Sequence, residues 1–178
     1  MATRVLIGLL ALCFAIVTSG CGGGSRLADD PVPPITVTFK YGPPDDEFVA
    51  IARVVSGFAG LWSDDEGRLV LMLVDPSQAN RARIAVSQLF QFTPAAFAEA
   101  RIQPAKFDSI QLVGWKDEFF MRCLSAGVVS LDADEHRNLV VVGATSEASH
   151  DVIRGCAEGI GIPPDALDIV PDSPVIPL

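Results

Sequence analysis

The 178-residue chain lacks several things, and each absence excludes a class of protein. No apolar run reaches the roughly 20 residues that a membrane-spanning helix needs; residues 5–17 come closest and fall short. Positive charge is scarce, with 13 Lys and Arg against 22 Asp and Glu and a formal net charge of −9. No basic cluster occurs, so nucleic acid and anionic lipid headgroups are not expected partners, and the acidity reads as solubility. Histidine occurs twice. His136 falls in a polar turn and His150 near the exposed start of a helix, where solvated side chains are the expected reading. No Gly-x-Ser-x-Gly elbow, His-Glu-x-x-His helix or glycine-rich phosphate loop occurs. The chain is therefore not expected to be an enzyme, and no catalytic residue, metal or cofactor is assigned. Asp132, Asp134, Glu135 and Asn138 are rich in oxygen, but their spacing does not match a calcium loop. They read as turn formers.

What is present at the start is a leader. Arg4, the apolar residues 5–17 and the small residues Thr18, Ser19 and Gly20 describe a secretion signal. Ser19-Gly20-Cys21 resembles the bacterial lipobox, with Thr18 where that family commonly has Leu. The resemblance implies cleavage before Cys21 and acylation of its thiol by diacylglycerol, with palmitate-type chains holding the protein to a lipid bilayer. Gly22-Gly23-Gly24-Ser25 suits a flexible tether. The implied location is the bacterial cell envelope, outside the cytoplasm. Gly22 stands where inner-membrane retention would favour Asp, which points to the outer membrane if there is one.

Residues 21–46 read as the lipidated cysteine and a tether rich in Gly, Pro and Asp, with a short strand possible over residues 35–40. A first lobe is expected over residues 47–107. Residues 48–55 suit a helical turn or two, and residues 58–62 a strand. Ser63 to Gly67 is turn chemistry. Residues 69–74 are six apolar residues in a row, as in a strand buried on both faces or central in its sheet. Asp75, Pro76 and Gln78 then start a helix whose apolar face is Ala82, Ala85, Val86, Leu89 and Phe90. Thr93-Pro94 can open another short helix. Residues 101–107 suit a strand that Pro104 confines to an edge or a bulge.

A second lobe, residues 108–170, reads as helix–hairpin–helix–strand. Asp108 or Ser109 caps a helix to about Leu124, with a stripe of Leu112, Trp115, Phe119 and Cys123 and with Phe120 and Leu124 beside it. Strands are expected over 127–131, 139–142 and 166–170. Between the last two, Thr145 or Ser146 caps a helix that turns Val152, Ile153, Cys156, Ala157 and Ile160 inward. Residues 171–178 form an extended, proline-rich tail. The fold class is α+β: two small lobes of antiparallel hairpins, with helices on one face of each sheet. The two hairpins resemble each other, either through internal duplication or because short turns converge on the same residues.

Cys13 leaves with the leader and Cys21 takes the lipid, so Cys123 and Cys156 remain as a pair in an oxidising compartment. Both sit on inward helix faces. A disulfide between them would close a loop of about 33 residues, worth about 3–4 kcal/mol. The alternative is two buried free thiols.

Gly127-Val128-Val129-Ser130-Leu131-Asp132 with Asn138-Leu139-Val140-Val141-Val142-Gly143 resembles the pro-segment of alpha-lytic-type secreted serine proteases. So do residues 161–170, Gly57 to Trp62 with the strand that follows, and Phe107-Asp108-Ser109 leading to Leu112 and Trp115. The similarity covers about residues 55–170. It implies a non-catalytic domain of two α+β lobes that embraces a protease, assists its folding and inhibits it through a C-terminal segment. No protease domain follows Leu178 in this chain, so a separate partner is expected. Two functions follow. The first is a lipid-anchored module binding a partner protein, possible as a secreted protease, through Pro171, Pro174, Val175, Ile176, Pro177 and Leu178 added as an extended strand. The second is a structural or scaffold envelope lipoprotein with no protease connection.

Overall fold

The computed structural model describes residues 31–36, 44–90, 97, 99–124, 127–146 and 149–172. The expected leader, Cys21, most of the tether, the Thr93-Pro94 helix start and Pro174 to Leu178 lie outside them. Of the possible strand at 35–40, Ile35 and Thr36 are described and are not in a strand.

The fold is α+β in two lobes. In the first, α1 (Asp45–Val54) leads into a hairpin of β1 (Phe58–Ser63) and β2 (Leu69–Leu73). A 3-10 turn (Pro76–Gln78) and α2 (Ala79–Phe90) cross over to β3 (Arg101–Pro104). In the second, α3 (Ser109–Cys123) precedes β4 (Val128–Asp134) and β5 (Leu139–Ala144), and α4 (His150–Gly159) crosses over to β6 (Leu167–Pro171). Each sheet has the hairpin's second strand at its centre. The sheets are mixed, not purely antiparallel, because β3 runs parallel to β2 and β6 parallel to β5. A helix between two neighbouring strands of one sheet returns the chain to the starting end, which makes the pair parallel.

The lobes repeat each other in detail. Both hairpins carry a register shift two residues into the first strand, at Phe58/Gly60 and at Val128/Ser130. Before each, a glycine carbonyl accepts from the residue after the second strand: Gly57 from the Val74 N–H, and Gly127 from the Thr145 N–H. Both third strands end in proline, Pro104 and Pro171, paired with Leu73 and Ala144. Shared turn chemistry would account for the hairpins alone; the matching helices, crossovers and third strands make this an internal structural repeat.

Local sequence explains most element ends. Asp108 and Gln111 form a reciprocal cap at α3, with the Gln111 N–H donating to Asp108 at 2.9 Å and the Asp108 N–H to Gln111 at 3.1 Å. Asp75 accepts from the Ser77 N–H at 2.9 Å, capping the 3-10 turn. Pro104 lies at the end of an edge strand, where its missing N–H costs no ladder bond. Val70, Leu71, Met72 and Leu73 are all buried in the central strand β2.

Three expectations need correction. The first lobe begins at Asp45, before the expected boundary at 47. Asp45 and Asp46 are buried in the first turn of α1 and are not tether. Acidic residues suit a helix N-terminus, where the backbone N–H groups are unpaired. Val152, expected to face inward, points outward at 59% exposure, while Phe120 and Leu124, beside the α3 stripe, are 55% and 43% exposed. Helix α4 starts after Ser149, not at Thr145 or Ser146, because β5 runs on to Ala144 and its ladder extends to Thr145.

The core is divided, and α1 joins its parts. Phe48, Ile51 and Ala52 pack in the first lobe with Phe58, Leu71 and Val86. Val49 packs in the second with Leu112, Phe119 and Val142. At about 100° per residue, positions 48, 51 and 52 fall within about 100° of one another, and 49 lies about 100° round from 48, toward the second lobe.

Candidate functional site

Two places bring functional groups together: the seam between the lobes and a groove beside β4. At the seam, Asp45 of α1 pairs with the Lys116 ammonium of α3, both mostly buried. The link between lobes is held by Asn138, a buried residue of the β4–β5 turn with φ of 58°. Its Oδ1 accepts from the Lys106 and Phe107 N–H groups at 2.8 and 2.9 Å, and its Nδ2 donates to the Phe107 carbonyl at 2.8 Å. Asn tolerates left-handed backbone better than most residues, so one side chain both forms the turn and fastens the connecting segment. Asn138 is thus a turn former, and its larger role depends on a contact 31 residues away that local spacing does not encode.

Glu135 and His136, at the tip of the same turn, meet β1. The Glu135 side chain occupies the space a Cβ on Gly60 would need; an added Cβ would lie 2.5 Å from Glu135 Cβ. With φ of +143°, Gly60 also holds a conformation that L side chains rarely adopt. Glu135 Oε1 is buried and makes no hydrogen bond. Burial, and then the negative charges of Asp45, Asp132 and Asp134, push the Glu135 carboxyl up to about 7, against an opposing hydrogen bond from its own N–H. The exposed His136 ring lies 4.0 Å from the Trp62 ring, centroid to centroid, so it rests on the first lobe instead of standing free in solvent. Trp62 Nε1 is also buried without a hydrogen bond. Glu135 and Trp62 were missed as seam residues because they are 73 positions apart in the sequence; only the repeated Gly-x-x-Ser pattern of the two hairpins hinted at related surfaces.

Among the described residues, no group of three or more His, Cys, Asp or Glu is placed to hold a metal. Asp132 and Asp134 flank the turn, where Asp134 accepts from the Arg137 N–H at 2.9 Å. Among the same residues, no helix is long and apolar enough to cross a membrane.

Cys123 at the end of α3 and Cys156 in α4 form a disulfide, with their Cα atoms 6.0 Å apart. It fixes the two second-lobe helices on one side of their sheet, next to Ile153 and Ala157. Pro171 is the last residue of β6, so the first of the expected tail residues belongs to the sheet.

The groove lies between α3 and β4, lined by Phe120 and Met121 of the helix with Leu124 at its end, by Val128, Ser130 and Leu131 of the strand, and by the charged Lys116 and Asp117 of the helix. Met121 is 76% exposed. Strand β4 is an edge of its sheet, with one side of its backbone unpaired by β5. An apolar trough beside an open strand edge offers both contact area and hydrogen bonds to an extended peptide. Neither any protein-family model nor any curated protein matches this chain.

Proposed function

We propose that the chain is a lipid-anchored, non-catalytic envelope domain that binds a partner protein. The single observation that carries the binding role is the apolar groove beside the free β4 edge. Contiguous exposed apolar surface on an otherwise acidic, well-packed domain is costly to leave in water and marks contact sites. The anchor rests on the leader and Cys21. The resemblance to protease pro-segments makes a secreted serine protease the partner class of choice, with the C-terminal segment following β6 reaching toward it.

The test is cross-linking in intact envelopes with the wild-type chain and with Met121→Asp. The expected result is capture of a secreted protease, inhibited by the wild-type domain and neither captured nor inhibited by the variant. Capture of the same proteins by both would refute the groove as the binding surface. Cell-wall or assembly components in place of a protease would favour a scaffold role.

A further inference from the structure

We propose that the outer face of the second sheet, the one turned away from α3 and α4, docks a basic turn or loop of a partner protein. This surface lies on the other side of that sheet from the helix-lined groove of the proposed function, so either site can fail without the other.

The internal repeat shows such a face already in use. Side chains alternate across a strand, and the pairing puts Gly60, Trp62, Val70, Met72, Arg101 and Gln103 on the outer face of the first sheet. Leu71 and Leu73 point the other way, into the core with Ile51 and Val86. The β4–β5 turn of the second lobe lies on this outer face, with Glu135 in the space left by Gly60 and His136 against Trp62. The neighbouring Val70 and Met72 are 0% and 2% exposed.

The register of the second sheet gives the matching positions: Ser130, Asp132, Val141, Gly143, Asp168 and Val170. Ala133, Val140 and Val142 point into the helix-covered core instead. Ser130 and Asp132 are exposed here, and Val141 and Val170 half-buried. Asp132 stands where the first sheet has Trp62, and Asp168 where it has Arg101. Asp172, one residue past β6, adds a carboxylate that accepts from Ser130 Oγ at 2.6 Å, close over Gly143. Arg137 pairs with Asp168 and, at 4.0 Å, with Asp134, so Asp132 lacks a basic partner among the described residues.

Acidic residues alone would not make a site; the occupied face of the other lobe does. There a face bearing Arg101 receives a turn that carries Asp134 and Glu135. In the second lobe the same positions carry acid, so the favoured occupant has the opposite sign, with short apolar side chains to cover Val141 and Val170. The matching turn of a second copy, Asp64-Asp65-Glu66, is acidic and would be repelled. Charge that composition alone assigns to solubility is thus gathered on a face that the repeat uses for docking.

Two fluorescein-labelled cyclic hairpin peptides test this, identical except for Lys-Gly-Lys or Glu-Gly-Glu at a turn flanked by valines. Their binding to the full-length chain in phosphatidylcholine vesicles is followed by fluorescence anisotropy at low salt, where charge is least screened. The lysine peptide is expected to bind, and the glutamate peptide to bind several-fold more weakly or not at all. Asp132→Asn should weaken the lysine peptide several-fold. Asp65→Asn, which removes the same charge from an exposed turn, and Met121→Asp, in the groove, should leave it unchanged. Urea unfolding of each variant checks that the fold is intact. No binding of the lysine peptide, or equal binding of the two peptides, would overturn the proposal. Equal losses in Asp132→Asn and Asp65→Asn would reduce the effect to the charge of the whole chain, and loss in Met121→Asp would place the peptide in the groove; both would also overturn it.

Discussion

Replacing Glu135 by Gln removes a charge from the lobe seam while keeping the side chain's size. In the wild type the carboxyl lies against Gly60 with a buried, unpaired oxygen, and its pKa is raised from 4.5 to about 7. A folded-state pKa above the unfolded one means that the folded chain holds the proton more tightly. The associated stability is fully present below about pH 4.5, falls as pH rises and is gone once pH passes about 7. At ~1.4 kcal/mol per unit the shift corresponds to about 3 kcal/mol, and partial contact with water brings the expected effect to about 1–2 kcal/mol. Glu135→Gln should therefore be more stable than the wild type by about 1–2 kcal/mol near pH 8, and within ~0.5 kcal/mol of it near pH 4.5. Urea unfolding followed by tryptophan fluorescence measures both, with Trp62 beside the turn as a local reporter. A difference of the same size at both pH values would refute the reasoning, since it would come from lost packing and not from charge. A variant less stable near pH 8 would refute it more strongly.

Two further predictions concern the second lobe. Replacing Cys123 and Cys156 together by Ser should cost about 3–4 kcal/mol in urea unfolding without reductant, and dithiothreitol should bring the wild type to the same midpoint. Asn138→Ala abandons three hydrogen bonds at a buried site and should lose about 2–3 kcal/mol, whereas a surface change such as Arg154→Ala should lose less than ~0.5 kcal/mol.

Where the chemistry is local, the sequence was legible. The cap of α3, at Asp108 of the two expected candidates, the Asp64–Gly67 turn and the apolar run of β2 each depend on residues within a few positions of one another. Proline placement correctly reduced β3 to an edge strand. The cysteine pair was legible as two inward positions on neighbouring helices, though not as matching heights. What escaped depends on distance along the chain. Asp45 and Asp46 look like linker until Lys116, 71 positions away, meets Asp45 across the seam. Glu135 looks like a turn acid until Gly60 leaves room for it. Val152 looks like core by apolar periodicity, because periodicity does not tell how wide a stripe the neighbouring elements cover. The groove escaped because its strand wall belongs to a hairpin and its helix wall, Phe120 and Leu124, lies beside the apolar stripe, so nothing local joins the two walls. The mixed sheets were missed because pairing direction follows from the crossover helices, not from the strands themselves.

The central claim is that the domain works as a tethered passenger held by an acyl group on Cys21. Growing cells expressing the wild type and Cys21→Ser on radiolabelled palmitate, with the mature N-terminus identified by mass spectrometry, tests it directly. The account predicts a labelled, membrane-bound wild type beginning at Cys21 and an unlabelled variant. An unlabelled wild type found in the cytosol with residues 1–20 still attached would contradict it.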